Sequence, residues 1–267
     1  MTSLQSRLLV CVIGVPLLLW VVLWAPMLVV ALALAALSAI GAWEMMKCIG
    51  SDAGWRSSVT ITAGMMAMFY HVNDTMCLPL LVVLMMTYFA MAVWKAGEIR
   101  LLDILGAMFS LVAIPYAFTA FLRLNGAGLH RAFLLLPFVF SFASDTFAYI
   151  VGCTMGKHKL APKVSPKKSV EGAVGGLLGN VVGGLVFAFV MNTWFGQSIH
   201  YGLIALVGLF CSVVAQLGDL SFSLIKREFG VKDYGKLFLA HGGVLDRFDS
   251  VLFVAPVLEI LMKMYMG

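Results

Sequence analysis

Long apolar runs separated by short polar breaks make up most of this 267-residue chain. A run of about 20 mostly apolar residues is long enough to cross the hydrocarbon core of a bilayer as a helix. The pattern predicts an all-α, polytopic integral membrane protein with about nine transmembrane helices. We place these helices near residues 8–25, 27–47, 58–73, 77–94, 101–122, 132–153, 173–194, 202–225 and 250–266.

The composition excludes an ordinary water-soluble domain. Hydrophobic residues make up 62% of the chain and charged residues 12%, whereas an average soluble domain has about 25% charged residues. We expect the first run to be a retained span, because it continues through Pro16 and Pro26 into the next run without an Ala-x-Ala-like cleavage site. The five cysteines are scattered and form no Cys-x-x-Cys pair, so we interpret them as small hydrophobic residues.

Basic residues are unevenly divided between alternate loops. With nine spans, 15 of the 18 lysines and arginines fall on one side, and Arg123, Arg131 and Lys263 fall on the other. The positive-inside rule then places the N-terminus and two long polar loops, residues 154–172 and 226–249, in the cytoplasm. We therefore expect a multi-pass protein of the inner, cytoplasmic membrane.

The first half of the chain offers few candidates for chemistry. Four of its acidic residues lie near predicted helix ends, and we interpret them as interfacial charges: Glu44, Asp52, Glu98 and Asp103. We predict two regions on this basis. Residues 1–130 form a lipid-embedded scaffold, and residues 131–267 form a catalytic region that carries both polar loops.

Ionisable residues inside the later spans are the first sign of a functional site. Asp145 falls within the sixth span, and an ionisable group there costs about 2.5–3.5 kcal/mol on insertion. In the eighth span, Asp219, Ser223 and Lys226 are spaced i, i+4, i+7 and share one helical face. Two interpretations stay open, namely a structural, salt-bridged ladder or a Mg²⁺ and phosphate site.

The first polar loop is rich in lysine and leads into a glycine-rich span. Contacts with anionic lipid headgroups would explain its lysines. They would not explain Ser165, Glu171 or the glycines at 172, 175, 176 and 179. Small residues allow helix backbones to approach closely, and a lysine-bearing loop at a helix N-terminus suits phosphate.

The second polar loop combines acidic, basic and glycine residues at the start of the ninth span. Asp246 and Asp249 are three residues apart, and carboxylate oxygens are natural ligands of Mg²⁺. Gly242 and Gly243 permit close backbone approach and unusual dihedral angles. Arg227, Arg247 and the lysines supply positive charge for a triphosphate, whereas His241 fits loop packing and substrate contact equally well.

Three strings in this half match a known family. They are Asp-Thr-Phe-Ala-Tyr at 145–149, Ser-Pro-Lys-Lys-Ser-Val-Glu-Gly at 165–172, and a longer pattern at 223–249. The last pattern reads Ser-Leu-Ile-Lys-Arg, then Lys-Asp, then His-Gly-Gly-x-x-Asp-Arg-Phe-Asp. Residues 140–256 thus resemble the phosphatidate cytidylyltransferases. One departure is Leu239-Ala240, where that family usually has Pro-Gly, so this chain loses a tight-turn element there.

The resemblance implies that CTP and phosphatidic acid react to give CDP-diacylglycerol and pyrophosphate. It implies catalytic roles for Asp219, Asp246, Ser223, Lys226 and Arg227. More than one Mg²⁺ would be held among Asp219, Asp246, Asp249 and Asp145, with a monovalent cation left open. Substrate would contact Ser165, Lys167, Lys168, Glu171, Lys232, Asp233, His241, Gly242, Gly243 and Arg247. The implied partners are CTP, phosphatidic acid and membrane lipid, with no nucleic acid and a homodimer left open.

Other functions remain open at the level of sequence. A CTP-dependent lipid-alcohol (polyprenol) kinase would transfer the γ-phosphoryl group and release CDP. An ion-coupled transporter would use Asp145 and Asp219 as relay acids, although the chain shows no paired halves. A purely structural membrane scaffold would leave the polar residues unexplained.

Overall fold

A computed structural model of the chain describes residues 3–72, 74–126, 130–238 and 242–266. Over these residues the protein is almost entirely α-helical. Its helices are α1 (Ser3–Leu23), α2 (Met27–Cys48), α3 (Ala53–Val72), α4 (Cys77–Trp94), α5 (Leu101–Gly126), α6 (Leu136–Met155), α7 (Val170–Trp194), α8 (Tyr201–Glu228) and α9 (Leu245–Met266). Short 3-10 helices at Asp74–Met76 and Arg131–Leu135 precede α4 and α6.

Each of the nine helices of the described residues overlaps one of the nine predicted runs, and the all-α, multi-pass membrane class is confirmed. Six of these helices are long and apolar enough to cross a membrane: α2, α4, α5, α6, α7 and α8. The count of nine spans is not confirmed. The described apolar stretch of α1 is short, α3 carries several polar residues, and α9 has acidic and basic residues at both ends.

Helix α3 begins five residues earlier than predicted because of a local cap. The Asp52 carboxylate accepts hydrogen bonds from the backbone N–H groups of Gly54 at 2.8 Å and Trp55 at 3.4 Å. These groups would otherwise lack partners at the helix N-terminus. They also hold the pKa of Asp52 below its ordinary value. The polar first turn is therefore helical, although a search for apolar runs assigns it to a loop.

The lysine-rich loop between α6 and α7 contains a small β-hairpin. Strand β1 (Lys159–Ala161) pairs antiparallel with β2 (Ser165–Ser169), with Lys159 opposite Ser169 and Ala161 opposite Ser165. Ser169 also caps α7, because its side-chain oxygen accepts a hydrogen bond from the Gly172 N–H at 3.1 Å. The hairpin leaves the all-α class unchanged but gives the lysines fixed positions.

The chain divides into two compact units, each made of two separate stretches. The first unit consists of Met1–Arg123 and Phe229–Arg247, and the second of Leu124–Glu228 and Phe248–Gly267. The first turn of α9 therefore belongs to the first unit and its later turns to the second. The predicted division of the chain at residue 130 into a scaffold and a catalytic region stays a prediction.

The first unit is built around one buried cluster. Helices α2, α3, α4 and α5 contribute side chains to it, including Met46, Val59, Tyr88 and Leu111. Trp55 packs edge-on against Tyr88, with ring centroids 5.0 Å apart. This cluster packs helices α2 to α5 against one another.

In the second unit, glycines bring α6 and α7 into close contact. A Cβ at Gly175 would lie 2.6 Å from the Val151 side chain, and one at Gly179 would lie 2.5 Å from the Phe147 Cβ. Only glycine fits at such separations. The prediction that small residues allow a close helix approach here is confirmed.

We predict that Gly179→Val destabilises the protein by about 1–3 kcal/mol, because the new side chain overpacks the contact with Phe147. Thermal unfolding in detergent measures the change. Gly14→Val is the matched control, since a Cβ at Gly14 has no atom within 4 Å. Equal melting temperatures for the two variants would contradict the prediction.

Candidate active site

A lysine from the β-hairpin lies among acidic residues of three helices. The Lys168 ammonium forms an ion pair with the Asp219 carboxylate on α8, and the two side chains are 29% and 21% exposed. Burial lowers the pKa of Lys168, while the negative charges of Asp145 on α6 and Asp249 on α9 oppose that shift. We call these four residues of the second unit the acidic cluster: Lys168, Asp145, Asp219 and Asp249.

The polar face predicted on α8 lies next to this cluster. Ser223 lies one turn after Asp219, and its hydroxyl is 3.5 Å from the Asp219 Oδ1 atom. Ser223 and Lys226 are both buried, each 9% exposed. The sequence spacing thus correctly predicted that Asp219 and Ser223 share a face. A buried hydroxyl and a buried ammonium on the same helix are suited to contact an anion.

The donor atoms of the acidic cluster are of the type that Mg²⁺ prefers, since all are carboxylate oxygens. Within the acidic cluster, three carboxylates accompany the single ammonium of Lys168. Among the residues that the structure describes, no group of three or more His, Cys, Asp or Glu side chains is already spaced to hold a metal ion. The chemistry of the donors therefore fits a divalent cation, and the metal roles of Asp145, Asp219 and Asp249 stay predictions.

Two further hydrogen-bonded anchors fix the hairpin. The Arg227 Nε on α8 donates to the Val164 carbonyl at 3.2 Å. The Glu171 carboxylate accepts from the N–H groups of Lys157 and His158 and lies 2.6 Å from the His158 Nδ1 atom. Arg227 and Glu171 thus hold the segment that carries Lys168.

The predicted substrate roles of the hairpin side chains stay predictions. Lys167 is exposed beside Lys168 on β2, and Ser165 is partly buried at the start of the same strand. Glu171 is engaged with the backbone of the hairpin segment, and Arg227 is exposed at the end of α8. The predicted roles of these four residues are untested.

The first unit contains the other half of the predicted site, the segment around the start of α9. The Asp246 Oδ2 atom accepts hydrogen bonds from the Tyr234 N–H at 2.8 Å and the Gly243 N–H at 2.9 Å. Gly242 has a φ of +86°, which side chains with a Cβ rarely adopt, and its carbonyl accepts from the Phe238 N–H. The prediction of unusual glycine dihedrals here is confirmed at Gly242.

Other predicted residues of this segment are placed but untested. Lys232, Asp233 and Arg247 are exposed to solvent. Asp246 is only 7% exposed and, within the first unit, organises the backbone before α9. His241, together with Leu239 and Ala240, lies outside the described residues. The predicted substrate and metal roles of this segment therefore stay predictions.

Glu44 on α2 contacts this segment, although it lies 200 residues earlier in the sequence. Its two carboxylate oxygens accept hydrogen bonds from the Val244 N–H at 3.0 Å and the Leu245 N–H at 2.9 Å. Glu44 is 4% exposed. The interpretation of Glu44 as an interfacial charge is therefore wrong. One signal in the sequence points to Glu44: an ionisable residue within an apolar run is usually functional, and Glu44 lies in the run at 27–47 just as Asp145 and Asp219 lie in later runs.

The fold and these clusters define a class: a multi-pass, all-α membrane protein with an acidic cluster beside a lysine-bearing hairpin. The model of the cytidylyltransferase family matches residues 5–265. The chain belongs to this family.

Individual relatives match a shorter part of the chain. Phosphatidate cytidylyltransferases from Staphylococcus haemolyticus and Staphylococcus saprophyticus are each 37% identical over 159 residues. The one from Staphylococcus aureus is 36% identical over 163 residues. Each match covers 58% of this chain and 59% of the relative, so the chain spans about three fifths of the length of these relatives.

We predict a coupling free energy of about 0.5–3 kcal/mol between Lys168 and Asp219, because removal of either partner leaves a partly buried charge without its counter-ion. The single variants Lys168→Met and Asp219→Asn and the double variant form the cycle, with thermal unfolding in detergent as the measurement. Lys167→Met on the same strand is the control for loss of an exposed lysine. Additive effects of the two single variants would show that the ion pair contributes nothing to stability.

Proposed function

We propose that the chain is a phosphatidate cytidylyltransferase, which forms CDP-diacylglycerol and pyrophosphate from CTP and phosphatidic acid. The observation that carries the proposal is the ion pair of Lys168 with Asp219 inside the acidic cluster, in a member of the cytidylyltransferase family. A reaction between two anions needs both a cation-binding and a phosphate-binding group, and this cluster combines them. The relatives in staphylococci are phosphatidate cytidylyltransferases, which supports the same choice.

The reaction consists of one phosphoryl substitution. An oxygen of the lipid phosphate attacks the α-phosphorus of CTP and forms a new P–O bond. The bond from the α-phosphorus to the bridging oxygen breaks, and pyrophosphate leaves with the electron pair. The lipid phosphate is already anionic near neutral pH, so no strong general base is required. Charge neutralisation and positioning therefore account for most of the catalysis.

Each part of the site has a role in this scheme. Lys168, Lys226 and Arg227 bind phosphate oxygens, and Ser223 orients one of them. Asp219, with Asp145 and Asp249, would hold Mg²⁺. The family resemblance implies a metal-binding role for Asp246 and a phosphate-binding role for Arg247. Bound Mg²⁺ supplies neutralising charge to the phosphates and the leaving pyrophosphate.

The proposal also sets the orientation of the chain. The N-terminus and both polar segments would lie on the cytoplasmic side of the inner membrane, in accordance with the distribution of lysine and arginine. CTP would arrive from the water and phosphatidic acid from the lipid leaflet. The site has no role for a nucleic acid, and a homodimer remains an untested expectation.

A product assay tests the activity. Purified protein in detergent is incubated with Mg²⁺, phosphatidic acid and CTP labelled at the α-phosphorus. We expect label in the lipid phase and one pyrophosphate for each labelled lipid. A parallel reaction replaces phosphatidic acid with a polyprenol, and release of labelled CDP with an unlabelled phosphorylated lipid there would instead identify a lipid-alcohol kinase. Absence of any nucleotide turnover, with substrate transport in proteoliposomes, would contradict an enzymatic role.

Replacement of Asp219 or Asp246 by asparagine should remove most of this activity. We expect Asp219→Asn and Asp246→Asn each to lower kcat by roughly 100-fold or more, since each loses a preorganised charge. Asp52→Asn is the matched control, because Asn also caps helices well and Asp52 lies at the exposed start of α3. Near-normal turnover of both site variants in the same assay would remove the proposed roles of these acids.

A further inference from the structure

The Glu44 carboxylate lies in an environment that disfavours charge. Glu44 is part of α2, one of the helices apolar enough to cross a membrane, and it is 4% exposed. An ionisable side chain at such a position costs free energy unless the protein provides partners. The partners here are backbone N–H groups of a distant segment, so Glu44 is directly connected to that segment.

Glu44 and Asp246 together engage three successive backbone N–H groups. Glu44 accepts from Val244 and Leu245, one N–H for each carboxylate oxygen, while Asp246 accepts from Gly243. These groups lie at the N-terminus of α9, where backbone N–H groups have no intrahelical acceptor. We call residues 242–247 the α9 start. Its conformation is therefore set by two carboxylates, and one of them comes from α2.

The surrounding glycines fit the Glu44 carboxylate closely. A Cβ at either Gly235 or Gly243 would collide with the carboxylate oxygens. The Glu44 side chain therefore fits in this place only because positions 235 and 243 have no side chain. A bidentate acceptor enclosed in this way holds the backbone in a single conformation, since any rotation of the segment breaks a hydrogen bond in a buried place.

We propose that Glu44 is a positioning residue for the catalytic reaction: it fixes the α9 start, and through it the side chains of Asp246 and Arg247. This role rests on the proposed function. It assigns part of the machinery to the first half of the chain, where the sequence offers only apolar spans. Loss of the bidentate contact would allow the α9 start to sample other conformations and would lower the fraction of protein that is competent for the reaction.

The test compares Glu44→Gln with Glu259→Gln. The Gln side chain has only one oxygen, so in Glu44→Gln either the Val244 or the Leu245 N–H loses its acceptor. The variant should still insert into the membrane, because removal of a charge favours insertion. Glu259 is a matched control, because it is 3% exposed, lies on the later part of α9 and pairs with Lys263 at 2.7 Å. Both variants are purified in detergent and examined by amide hydrogen exchange and by steady-state kinetics.

We expect Glu44→Gln to accelerate exchange within the α9 start and to lower kcat by roughly 10- to 100-fold, with a change of less than about threefold in KM for CTP. Glu259→Gln should change neither quantity. Faster exchange with unchanged kcat would reduce Glu44 to a structural cap and overturn the proposal. Unchanged exchange would overturn it as well.

A substitute variant and a result independent of activity complete the test. If Glu44→Gln fails to fold, Gly235→Ala takes its place, since the added methyl group displaces the carboxylate while its charge is kept. The same local acceleration and loss of kcat are expected. If the unmodified protein forms no CDP-lipid, the proposed function fails separately, and exchange alone decides whether Glu44 fixes the α9 start. Acceleration confined to that segment supports the proposal, and its absence overturns it.

Discussion

A charged side chain among apolar helices needs an oppositely charged or hydrogen-bonding partner, and this constraint determines the contacts of the buried acidic residues. Hydrophobic residues make up 62% of the chain, so the helices themselves need little more than lipid and each other. The acidic residues are different, because a carboxylate without a partner in such surroundings is costly. Asp219 finds the Lys168 ammonium, and Glu44 finds two backbone N–H groups. Each of these two contacts connects a segment between helices to a helix: the ion pair connects the hairpin to α8, and the Glu44 hydrogen bonds connect the α9 start to α2.

The two solutions have different consequences for chemistry. An ion pair with a lysine can be exchanged for another cation, and its lysine can then contact a phosphate, so the acidic cluster suits ligands that come and go. A carboxylate that accepts from buried backbone N–H groups has a fixed structural connection instead. The second unit thus contains the exchangeable charges, while the first unit contains the rigid support of the α9 start.

Glycine has a separate function at each place. Between α6 and α7 it removes side chains so that two helices approach, as at Gly175 and Gly179. Around Glu44 it makes room for a carboxylate, and at Gly242 it permits a positive φ. From the sequence, we predicted close helix approach at Gly175 and Gly179 and unusual dihedral angles at Gly242 and Gly243. The structure separates them by what fills the space, namely an aliphatic or aromatic side chain in one case and a charged group in the other.

The sequence by itself determined the membrane class, the approximate positions of the nine described helices and the family, because apolar runs and contiguous motifs are local properties of the chain. It also correctly predicted the shared face of Asp219 and Ser223, since helical spacing is local as well. Only the tertiary structure decided that Lys168 pairs with Asp219 and that Glu44 caps a helix 200 residues away. Such contacts depend on how separate helices pack, and no spacing within one segment encodes them.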